Sequence, residues 1–87
     1  MASKILPHRH YSYNSARLET IVRLNACQGK TFPFGSKEDN ARTRLTALLN
    51  EINESITTVK KTSTDTSFLD KPQLWLAEKL NSPKFHI

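Results

Sequence analysis

SKEDNARTRLTALLNEINESITTVK, residues 36–60, decides how this chain folds. Ser36 stands before Lys37-Glu38-Asp39, an approximate capping box: a hydroxyl for the first free amides and carboxylates at the positive end of the helix dipole. Ala41, Leu45, Leu48, Leu49, Ile52, Ile56 and Val59 then recur at three- and four-residue steps. At 100° per residue they occupy about a third of the circumference, the pattern of an amphipathic helix. A helix over 36–60 is about 35 Å long at 1.5 Å per residue, more than the rest of the chain easily covers. Either shorter segments pack along it in series, or part of its stripe meets another chain, as in a homodimer zipped along this helix.

The flanking segments read as shorter helices around it. A first helix over 15–28 takes Ser15 or Asn14 as its cap and Gly29 as a left-handed stop. Its apolar side gathers Leu18, Ile21 and Val22, with Ala26 at the border and Asn25 inside it, while Thr20, Arg23 and Cys27 fall opposite. Phe32 and Phe34 are expected to plug the space between the first two helices. Residues 61–69, KTSTDTSFL, form a linker whose Ser and Thr hydroxyls compete for backbone hydrogen bonds. Asp70 then caps a third helix over 70–81, with Pro72 in its first turn and Gln73 completing the box. Leu74, Leu76, Ala77 and Leu80 share its broad apolar side. Trp75 points away, to pack under the tail near Phe85 or to anchor a partner. An extended arm (1–14) and a short tail (82–87) complete the expectation: an all-α single domain, a small three-helix bundle built on one long central helix.

Size and charge narrow the function. A chain of 87 residues buries only about 60–65% of the surface its unfolded form exposes, which disfavours a deep catalytic cleft. No apolar run is long enough for a bilayer, and MASKILPHRH lacks the apolar centre of a secretory signal. The single cysteine, Cys27, allows no internal disulfide, so a reducing, cytoplasmic setting is expected. The net charge of +5 is lopsided. Lys4, Arg9, Arg17, Arg23, Lys30, Lys37, Arg42 and Arg44 face only Glu19, Glu38 and Asp39, whereas five cations and five acids balance in the remainder. That asymmetry suits a polyanion or an acidic protein surface.

Chemical motifs fall short one by one. Gly29-Lys30-Thr31 imitates the end of a phosphate-binding loop, but Leu24 stands where the earlier glycine is required and a helix precedes the loop. His8 and His10 on an extended segment lack the further ligands that zinc needs, and no spacing links them to Cys27 or His86. Cys27 has no histidine at neighbouring helical spacing, and Glu51 and Glu54 lie on a solvated flank, so no nucleophile or acid–base pair emerges. No catalytic residue, metal or cofactor is assigned.

Binding is better supported. On an extended arm Arg9, Tyr11 and Tyr13 share a face, so the arginines neutralise phosphate and the tyrosines stack on unpaired bases. The gap from Gln28 to Ser36 is too long for the turn of a helix-turn-helix, which leaves largely sequence-independent DNA or RNA binding as an alternative. Thr43, Thr46, Asn50, Asn53 and Thr57 form an uncharged stripe on helix two that suits a protein interface. The expected function is therefore a non-enzymatic inhibitor or accessory factor that occupies or bridges a nucleic-acid-handling protein or nucleoprotein. Its contact residues are expected to be Arg9, Tyr11, Arg17, Arg42, Arg44, Asn50 and Trp75.

Overall fold

A computed structural model describes residues 10–87, and these are all-α: three helices and two short 3-10 turns, with no strand among the described residues. Helix α1 spans Tyr13–Ala26, α2 spans Lys37–Thr62 and α3 spans Leu74–Leu80. The 3-10 turns span Ser67–Asp70 and Pro83–Phe85.

Helix α2 follows its sequence closely. The Ser36 hydroxyl accepts from the Asp39 amide at 3.1 Å. The Asp39 carboxylate reaches back one residue further than a capping box does, accepting from the Gly35 amide at 3.0 Å. Gly35 itself has φ +79°, a conformation that L side chains disfavour. Ala41, Leu45, Leu48, Ile52 and Ile56 are buried, so the predicted stripe is the floor of the core. Tyr11, Ala16, Leu69, Leu76, Ala77 and Leu80 close over it. The stripe is thus covered by its own chain, in series, and the length of α2 no longer calls for a second copy.

Helix α1 runs antiparallel to α2, with Tyr13 beside Ser55, Thr58 and Val59 and with Arg42 of α2 bonded to the Lys30 carbonyl in the connection. It starts two residues earlier than expected, because Ser12 is its cap. Ser12 accepts from the Ser15 amide at 3.1 Å, and Ser15 returns the bond by accepting from the Ser12 amide at 2.9 Å. Ser15 is therefore the third residue of the box and not its cap. The helix also ends two residues earlier than expected, at Ala26 with Cys27 as its C-cap, and Gly29 takes its left-handed φ, +82°, in the turn that follows.

The face that α1 buries is the reverse of the expected one. Ala16, Thr20 and Cys27 are buried, while Leu18 and Val22 stand 63% and 62% exposed. The fully buried positions of this side carry small side chains, which let two helices approach closely, and Tyr13 and Leu24, partly buried, pack against the core beside them. Its polar groups are satisfied inside the helix. The Thr20 hydroxyl donates to the Ala16 carbonyl at 2.6 Å, and the Cys27 thiol donates to the Leu24 carbonyl at 3.3 Å. Burying them therefore leaves no orphaned donor.

Further corrections concern the connections. Phe34 is wholly exposed, so it plugs nothing, and Phe32 lies half-buried under the Arg42 guanidinium, 5.0 Å from its ring centroid. Helix α3 is shorter than 70–81. Asp70 ends the first 3-10 turn and accepts from Asn14 Nδ2 at 2.9 Å instead of capping a helix. Lys71 enters an extended link, since Pro72 disfavours helical backbone at the residue before it. The Gln73 amide donates to the Tyr11 carbonyl at 2.7 Å. Leu74 turns outward at 74% exposure, and Trp75 is half-buried with its ring edge-on to Tyr13 at 6.1 Å. The tail is docked as well: Phe85 is half-buried against the core, with Lys79 Nζ 5.6 Å from its ring centroid.

Candidate interaction surface

Two sets of side chains compete for the role of site: the cations singled out in the sequence, and the apolar residues that the fold turns outward. The cations are largely occupied. Arg23 Nε pairs with Glu19 at 2.7 Å, and its two terminal nitrogens donate to the Leu80 carbonyl at 2.9 Å and the Phe85 carbonyl at 3.1 Å. One planar guanidinium thereby caps the end of α3 and fastens the tail, where a cation also suits the negative end of the helix. His86 Nε2 lies 3.2 Å from the same Leu80 carbonyl.

Among the expected contact residues, Arg42 is spent on the Lys30 carbonyl at 3.1 Å, on Asp39 at 3.5 Å and on the Phe32 ring. Arg44 is exposed and donates to the Lys84 carbonyl at 3.3 Å. Together with Lys79 and Phe85 it lines a shallow depression that Glu51 also borders. Asn50 is exposed on the outer side of α2 with Thr43 and Thr46. The hydroxyls of both threonines fold back onto carbonyls of their own helix. Trp75 packs within the fold, against Tyr13. Tyr11 is corrected outright: at 3% exposure it belongs to the core, so it cannot stack on a base. Tyr13 leaves the supposed arm too, as the first residue of α1. Arg9 and His8 lie outside the described residues.

What the fold does present is the outer side of α1. Leu18, Ile21, Val22 and Asn25 stand at i, i+3, i+4 and i+7 and so form one row. Leu18 and Val22 are exposed and Ile21 is half-buried. Arg17 borders the row, half-buried, and makes no hydrogen bond or ion pair with another described residue. Glu19, the one carboxylate of α1, is held on the other side by Arg23. Periodicity alone identified the row but assigned it to the core. The signal that identifies the inward side is Ala16, Thr20 and Cys27, small residues at near-helical spacing on the opposite side.

A hollow of about 160 Å³ is lined by Arg23, Ala26, Cys27, Lys30 and Ile87. Among the described residues no three His, Cys, Asp or Glu side chains gather as a metal site, and no helix is long and apolar enough to cross a membrane. No protein-family model, no curated protein and no solved structure matches this chain, so its function rests on its own side chains.

Proposed function

We propose that this chain is a non-enzymatic binding protein that occupies or bridges a macromolecular surface as an inhibitor or accessory factor. The partner in this proposal is a protein or nucleoprotein that handles nucleic acid, met in a reducing, cytoplasmic setting. The observation that carries it is the outward apolar row of α1, Leu18, Ile21 and Val22. Grouped exposed apolar side chains on a small protein mark interaction sites more often than scattered ones do. The net charge of +5 supports an acidic or nucleic-acid-bearing partner.

Direct nucleic-acid binding is the second reading, supported by the exposed cations Arg44, Lys79 and Lys84 near Phe85. Plain duplex DNA, single-stranded DNA and RNA titrated from low to high salt separate the two. Protein-directed binding predicts no saturable complex with any of them even at low salt. Tight binding that weakens steeply with salt, the mark of counterion release, would replace the first reading by the second.

A further inference from the structure

Deepening that proposal and resting on it, we infer that α1 is a ligand helix: its outer side lies in an apolar groove of the partner protein, and an acidic rim of that groove meets Arg17. Helices that dock in grooves present anchors at i, i+3, i+4 and i+7, and Leu18, Ile21, Val22 and Asn25 occupy those positions. The helix does not have to form on binding. It is already built by the Ser12–Ser15 capping box and held by its buried side against α2. Preorganisation of this kind removes the ordering cost from the binding step.

Charge selects the occupant. The outer side of α1 offers one uncommitted cation, Arg17, while the two carboxylates that border it are engaged, Glu19 with Arg23 at 2.7 Å and Asp70 with Asn14 at 2.9 Å. A complementary rim is therefore acidic. A second copy of the chain fits poorly. It would bring the same side, whose bordering carboxylates are already bonded, on a molecule of net charge +5, against itself. The exposed parts of Leu18, Ile21 and Val22 also fall well short of the roughly 800 Å² per partner that a stable interface buries. A groove solves the second difficulty, since its walls also cover the flanks of the helix.

The test places a photoreactive p-benzoylphenylalanine at position 22 of the full chain and irradiates it in an extract of the source cells. The adduct is identified, and the captured protein is purified and its affinity measured. The expected result is one protein adduct, with Leu18→Ser and Arg17→Glu each weakening the purified pair about tenfold or more, the scale of an anchor residue. Thr62→Ala, exposed at the C-terminal end of α2, is expected to leave affinity within about twofold. Circular dichroism of each variant checks that the helices persist. Reversing the partner carboxylate nearest Arg17 is expected to restore binding to Arg17→Glu.

An adduct with a second copy, with residues 1–9 of the same chain or with nucleic acid overturns the inference, as does no adduct at all. A purified partner that binds Leu18→Ser and Arg17→Glu as tightly as the unaltered chain also overturns it, while leaving the broader binding proposal in place. Absence of any protein partner, together with salt-sensitive duplex binding, defeats both.

Discussion

Asp65, in the connection after α2, shows how a fully exposed side chain still acquires a defined role. Its carboxylate accepts from the Ser67 amide at 2.9 Å. That backbone bond is the main cause holding its pKa below the ordinary aspartate value; the Ser67 hydroxyl and the nearby Lys71 charge act in the same direction. Burial opposes the shift weakly. A lowered folded pKa means that the turn is stabilised fully above the unfolded value of about 3.9 and loses this support as pH falls through the folded value. The carboxyl resonance of Asp65 followed by NMR should titrate below about 3.9, with the Ser67 amide shifting alongside it. A midpoint at or above that value would show that the bond does not hold in solution. The Ser/Thr content of KTSTDTSFL marked a linker; within it Asp65 bonds the amide two residues on, a local turn that aspartate side chains favour.

At the scale of the element, α1 is where periodicity and packing part company. The apolar row lies outward because α2 already supplies large side chains to the shared core, and large ones opposite them in the middle of α1 would force the helices apart. The large residues that α1 does turn inward, Tyr13 and Leu24, lie towards its ends and are only partly buried. Ala16 and Thr20 fill the close seam instead. Two substitutions test this in opposite directions. Leu18→Ser should change stability by no more than about 0.5 kcal/mol, as exposed positions do. Ala16→Leu should destabilise by about 1–3 kcal/mol through overpacking. Urea denaturation of both variants decides it: a costly Leu18→Ser with a tolerated Ala16→Leu would restore the orientation that the apolar periodicity suggested.

For the whole molecule, two arginines of the basic half serve as a fastening. Arg23 from α1 and Arg44 from α2 hold carbonyls at residues 80, 84 and 85, so a tail with few apolar groups is docked on the core. The same docking shields Cys27, which is buried beside Arg23 and Ile87. Arg23→Ala removes two carbonyl bonds and an ion pair from a side chain that is only 16% exposed. The expected loss is about 2 kcal/mol, and Arg23→Lys should not rescue it, because an ammonium lacks the planar fork. Thiol labelling gives an independent readout. Cys27 should react slowly in the intact fold and about tenfold or more faster in Arg23→Ala, as local opening becomes easier. Equal labelling rates would mean that the tail does not guard the thiol.

What the sequence determined by itself was local. It carried the helical class, the extent and inward stripe of α2, the Ser36 cap and the left-handed turn at Gly29, because each depends on side chains within one or two turns. It also carried the apolar row of α1 as a row. Tertiary structure alone decided which way that row faces, that Tyr11 is core and that Phe34 is not. It also turned Arg23 into a clamp on carbonyls nearly sixty residues away. These outcomes depend on volumes and hydrogen-bond acceptors contributed by distant segments. A helix whose small side already satisfies its own polar groups is free to bury that side and to offer its leucine and valine to a partner.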